Sequence, residues 1–179
     1  MNNVTALKED HFINVDPRAR KYLIFFLASE EYGVDILKVQ EIIYRMPITR
    51  VPLASGYIRG VINLRGKIHP IMDLRVKFGM KQTAITGETC IIVIKTTSQM
   101  VGILVDKVSE VTKMSFEDIE GTPTFGTDVN PEYLLGVGKT AGRIRLLLDI
   151  EKIITGAGMI NIKKAAGPEN NGAEIESGI

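Results

Sequence analysis

The chain states one stretch almost twice. Tyr57–Gly79 reads YIRGVINLRGKIHPIMDLRVKFG, and seventy-six positions later Tyr133–Thr155 reads YLLGVGKTAGRIRLLLDIEKIIT. Tyr57, Gly60, Val61, Gly66, Ile68 and Asp73 return as Tyr133, Gly136, Val137, Gly142, Ile144 and Asp149. These are residues that build structure: turn glycines, apolar strand positions and a helix cap. The spacing predicts a strand over Tyr57–Asn63, a turn through Leu64-Arg65-Gly66 with Gly66 at positive φ, and a second strand over Lys67–Met72. Asp73 then stands where a helix N-cap belongs, its carboxylate accepting the free N–H groups of the first turn, and Gly79 closes the helix in the left-handed conformation. The repeat marks a duplicated fold unit whose two copies need not share a job.

The duplication extends upstream. Lys21–Ser29 (KYLIFFLAS) is a β-rich apolar run, Ser29-Glu30-Glu31 turns it and Tyr32–Asp35 returns; Cys90–Lys95, Thr96–Gln99 and Met100–Val105 repeat that order. Lys38-Val39-Gln40-Glu41-Ile42 is answered by Lys107-Val108-Ser109-Glu110-Val111 at an offset of 69. Ile36–Tyr44 fits both a helical stripe and, by its β-branched content, a strand. Pro47 stops any helix there. Ile48–Val51 is expected as a short strand, Pro52–Gly56 and Gly121–Pro131 as loops, and Ser115 as the cap of a turn before Glu117–Ile119. Each half thus offers about five short strands and one closing helix, a pattern of small barrels or sandwiches. The expected division is a flexible segment over 1–20, a first barrel over 21–80, a second over 88–155, and a disordered tail over 156–179. Strands apolar on both faces, such as Leu23–Leu27 and Ile91–Ile94, call for a barrel interior on one side and a neighbouring barrel or helix on the other.

A formal charge of +1 disfavours duplex DNA or an anionic membrane as partner, and the aromatics do not alternate with basic residues as a stacking platform for single strands would. No apolar run approaches the roughly 20 residues of a membrane span, and the N-terminus lacks the order of a signal peptide. A cytoplasmic protein is expected. The single cysteine, Cys90, opens the run CIIVI and reads as a small buried side chain. His11 falls in the lead-in without an orienting partner. His69 and its counterpart Arg145 are expected to face outward. No metal-ligand spacing, nucleophile–base pair or cofactor site emerges. Gly136-Val137-Gly138-Lys139-Thr140 ends like a phosphate-binding loop. However, Tyr133 stands where that loop needs a glycine, and a strand rather than a helix follows. A nucleotide-binding enzyme using Gly136–Thr140 is the alternative from a different class.

The copies differ at Arg65 (Ala141), Arg59 (Leu135) and Asn63 (Lys139). Arg65 reads either as a solvated loop charge or as a recognition residue held by a carboxylate, with Glu41 the nearest by topology. Val39 reads as core by its spacing from Ile36 and Ile42.

VDILKVQEI (Val34–Ile42), IRGVINLRG (Ile58–Gly66), PIMDLR (Pro70–Arg75), VGILVDKVSEV (Val101–Val111) and YLLGVG (Tyr133–Gly138) together resemble the CheW-like coupling proteins of bacterial chemotaxis, over about residues 20–155. The resemblance implies a mostly β fold of two SH3-like five-stranded barrels with short helices, no enzymatic activity and no cofactor. It implies a scaffold that joins the regulatory domain of the histidine kinase CheA to the cytoplasmic tips of methyl-accepting chemoreceptors, in the cytoplasm at membrane-associated arrays. The family's receptor contacts fall on Val39, Glu41, Gly60 and Arg65, and its kinase-contacting loop points to Met46–Pro52, here Met46, Ile48 and Arg50. A variant of this reading is the adaptor half of a CheV-type coupling protein. Two features depart from the pattern: His69 replaces an aliphatic, and the chain beyond Gly156 lies outside it.

Overall fold

The structure is a computed structural model, described here for residues 17–52, 56–122 and 129–156. The flexible lead-in expected for most of 1–20, His11, the middle of the Gly121–Pro131 loop and the tail beyond Gly156 lie outside these residues. In the first half, β1 (Arg20–Leu27) and β2 (Glu30–Asp35) form a hairpin, and a 3-10 turn over Ile36–Lys38 leads into β3 (Val39–Tyr44). A second hairpin, β4 (Ile58–Leu64) and β5 (Lys67–Asp73), runs into α1 (Leu74–Lys77). The second half repeats this as β6 (Cys90–Lys95), β7 (Met100–Val105), β8 (Lys107–Met114), a 3-10 turn over Phe116–Asp118, β9 (Ile119–Glu120), β10 (Leu134–Thr140), β11 (Arg143–Leu148) and α2 (Ile150–Thr155). The ambiguity at Ile36–Tyr44 resolves into both readings in turn: one 3-10 turn, capped by the Asp35 carboxylate on the Leu37 N–H, and then a strand.

The repeated turns form as the spacing predicts. Arg65 and Gly66 (φ 52° and 81°) make a two-residue turn in the left-handed region, matched by Ala141 and Gly142 (φ 51° and 72°), the conformation that best suits the twist of a hairpin. The Asn63 Oδ1 accepts the Gly66 N–H at 2.9 Å and secures the first turn. Asp73 caps α1 through the Val76 N–H, and Asp149 caps α2 through the Lys152 N–H. The short strand expected over Ile48–Val51 reduces to one bridge, Thr49 to Val61. Its counterpart in the second half is β9, where Glu120 pairs with Val137.

The strands sort into two sheets, β8-β1-β2-β11-β10-β9 and β3-β6-β7-β5-β4. In each, the edges are joined along the chain, β8 to β9 through the 3-10 turn and β3 to the Thr49 bridge on β4, so each sheet curls on itself. The expected boundaries, a barrel over 21–80 and another over 88–155, do not hold for this pairing. The β1–β2 hairpin of the first half completes the sheet of β8–β11, and the β6–β7 hairpin of the second half completes that of β3–β5. The joins are two parallel pairings, β2 with β11 and β5 with β7. The halves are interleaved, each lending a hairpin to the other.

Three apolar clusters follow. Tyr22, Ile24, Met114 and Leu147 fill the first barrel, that of the β8-β1-β2-β11-β10-β9 sheet, while Ile62, Leu64, Ile71, Ile91, Val93 and Leu104 fill the second, that of the β3-β6-β7-β5-β4 sheet. Leu23, Phe25 and Leu27 of β1, with Cys90, Ile92 and Ile94 of β6, point the other way into a larger core between the barrels. Both helices cap this core through Leu74, Ile150, Ile153 and Ile154. The alternation along β1 and β6 is the period of two that a strand imposes, with both faces buried.

Candidate functional site

The seam between β3 and the β4–β5 turn carries the residues singled out in the sequence. Arg65 reaches from the turn to Glu41 on β3 as a two-pronged ion pair, Nη1 to Oε1 at 3.1 Å and Nη2 to Oε2 at 3.3 Å. The guanidinium side chain is 74% exposed and that of Glu41 25%. An exposed pair of this kind contributes about 0–1 kcal/mol to stability; its geometric effect is to hold a planar cation at one place on the surface.

A bulge at Gln40 separates Val39 from Glu41. Val39 stands opposite Ile94, against the core between the barrels, whereas Glu41 stands opposite Val93 on the side of the second barrel's interior. The two therefore flank β3 rather than line one floor. Beside Val39 the sequence reading missed Leu37, 87% exposed in the 3-10 turn, and Lys38, whose Nζ bonds Glu151 of α2 at 3.0 Å. The signal was present: an ILK triplet between an Asx-type cap and a strand leaves its central aliphatic without a core to enter.

Gly60 is a packing residue. A Cβ there would stand 2.2 Å from the Thr49 carbonyl oxygen, at φ +149°, and the counterpart at Gly136 would meet the Glu120 carbonyl oxygen at 2.5 Å. Neither backbone can yield, so the glycine sets how closely the segment after β3 lies on β4. Met46 and Ile48 are half-buried and pack into the second barrel's core, while Arg50 is exposed. Of those three, only Arg50 presents a free side chain to the surface.

Two expectations are corrected. His69 and Arg145 do not face outward: they are 8% and 2% exposed. Arg145 is buried because it has counter-charges, its Nε on Glu31 at 2.9 Å and its Nη2 on Glu110 at 2.6 Å, with Thr140 as a further acceptor. The phosphate-loop alternative also falls. Gly136–Thr140 lies within β10, no helix follows it, and the Lys139 Nζ bonds Glu120 at 2.7 Å. The arginine at position 59 is structural, pairing with the capping carboxylate of Asp73 at 3.2 Å. Burial pushes the Cys90 thiol up to about 11, a backbone hydrogen bond from Val108 opposing this only in part, which makes it an inert core group at neutral pH. Among the described residues, no cluster of three or more His, Cys, Asp or Glu could hold a metal, and no helix is long and apolar enough to cross a membrane. A cleft of about 430 Å³ beside the link from α1 to β6 has its charges matched, Arg75 with Asp106 and Lys107 with Glu88.

The CheW-like domain profile matches residues 21–157. The chain belongs to the CheW-like family. The chemotaxis protein CheW of Klebsiella aerogenes is 42% identical over 147 residues, covering 82% of this chain and 89% of that protein. A crystal structure of the scaffolding protein TtCheW from Thermoanaerobacter tengcongensis superposes with a TM-score of 0.71 at 33% identity, covering 75% of this chain and 91% of that one. The chemotaxis protein CheV3 of Helicobacter pylori is 29% identical over 126 residues, 40% of its length; against the 42% identity of the CheW match, the CheV-type alternative is the weaker one. The two-barrel, mostly β architecture is thus that of a CheW-like protein.

Proposed function

We propose that this CheW-like chain is a non-enzymatic scaffold of bacterial chemotaxis, joining the cytoplasmic tips of methyl-accepting receptors to the regulatory domain of the kinase CheA, in the cytoplasm at receptor arrays. The observation that carries the reading is the Arg65–Glu41 pair, an oriented guanidinium that one copy of the repeat has and the other lacks, on the frame of a family with scaffolding members. In this reading Arg65 touches the receptor and Glu41 aims it. Val39 and the exposed Leu37 offer apolar contact to a helix by the helix-in-groove mode, and Gly60 acts through the Thr49 contact that shapes the seam. Met46, Ile48 and Arg50 belong to the kinase side, with Arg50 the contact and the other two its support. Signal transfer then requires contacts that differ between two states of the assembly.

The test is Arg65→Ala, assayed by co-sedimentation with receptor fragments and CheA. Capture is expected to fall roughly tenfold, the equivalent of ~1.4 kcal/mol, with thermal unfolding essentially unchanged. Undiminished capture would remove Arg65 from the contact and the reading with it.

A further inference from the structure

The two barrels close their rims with side chains at matching positions. The parallel join sets Leu147 opposite Gly33 in the first barrel and Ile71 opposite Gly102 in the second. Arg145 and Glu31 therefore correspond to His69 and Met100. Glu110 on β8 corresponds to Glu41 on β3 through the shared K-V-x-E pattern. In the first barrel the buried Arg145 draws Glu31 and Glu110 onto itself, and Arg143 adds a second contact to Glu31. In the second barrel Met100 carries no charge, Leu64 replaces Thr140, and the Nε2 of the buried His69 has no hydrogen-bond partner. Glu41 has no inward arginine to meet, and it binds Arg65 instead.

We infer that the lack of a cation at position 69, where the sister barrel buries a guanidinium, is what leaves Glu41 free to hold Arg65 outward. A guanidinium buried at position 69 needs a counter-charge. With Met100 neutral, Glu41 is the carboxylate that the sister barrel's geometry brings within its reach. The competing exposed pair is weak, so the carboxylate turns inward and Arg65 loses its tether. The consequence for receptor contact rests on the function proposed above; the geometric claim does not.

The test uses the full chain with His69→Arg and His69→Leu. Two readouts are taken: the order parameter of the Arg65 Nε–H by NMR, and co-sedimentation with receptor and CheA. H69R is expected to fold cooperatively, to lower the Arg65 order parameter to that of a free surface arginine, and to reduce capture about tenfold; H69L keeps both at native values. If H69R does not fold, H69K takes its place in the same comparison. An Arg65 that stays ordered beside a cationic residue 69, or loses its order in H69L, overturns the inference. Loss of order in H69R with capture unchanged upholds the geometric claim and overturns the receptor reading of Arg65.

Discussion

In the first barrel the arginine at the rim comes from within a strand, is buried, and is clamped by two carboxylates; in the second it comes from the turn, is exposed, and leans on one. The backbone beneath is the same, down to two consecutive left-handed residues at each hairpin. Moving a guanidinium by a few positions converts a plug that fastens strands into a group offered to a partner. Burial decides the difference. A charge sealed from water must be matched inside the molecule, whereas an exposed one can be redirected at little cost to the fold.

Breaking the comparison altogether requires separating the halves. Because each sheet borrows a hairpin, residues 1–85 and 86–179 produced as separate chains are each expected to lack cooperative unfolding by circular dichroism. A first half that folded alone would show that the interleaving is not what completes the barrels. Next in size is the contrast between the two arginines in urea unfolding. Arg145→Leu leaves both Glu31 and Glu110 to Arg143 alone, and is expected to destabilise by about 2 kcal/mol. Arg65→Ala is expected to stay within about 1 kcal/mol. Equal losses would erase the distinction between plug and contact.

The smallest effect concerns the strands that open the two repeats. Where β1 carries exposed Lys21, β6 has buried Cys90 at the matching position. Burial raises the Cys90 pKa from 9.0 to about 11, so folding favours the neutral thiol. The stability this contributes is complete below the unfolded value and is lost as pH climbs from about 9 through about 11. A thiol-specific reagent at pH 8 should react only as the chain unfolds; prompt labelling of the folded chain would contradict the burial.

Local chemistry made much of this molecule legible in advance. The Gly66 turn, the Asp73 and Asp149 caps and the two-faced apolar strands all depend on residues near in sequence or on a repeat that can be aligned by eye, whereas the Glu41–Arg65 pair, 24 residues apart, was one of two readings the sequence left open. The burial of His69 and Arg145 was not legible, because a polar residue in a strand has an outward face as its cheapest place unless a counter-charge waits inside. The counter-charges for Arg145 come from β2 and β8, far away along the chain.

By itself the sequence determined that the fold is doubled, that its units are short strands closed by capped helices, and that one copy alone bears an arginine at its turn. Only the tertiary structure decided which hairpin joins which sheet. A repeat reads the same whether each hairpin pairs with its own half or with the other. The choice is made by the parallel joins of β2 with β11 and β5 with β7, and by the shared core they enclose.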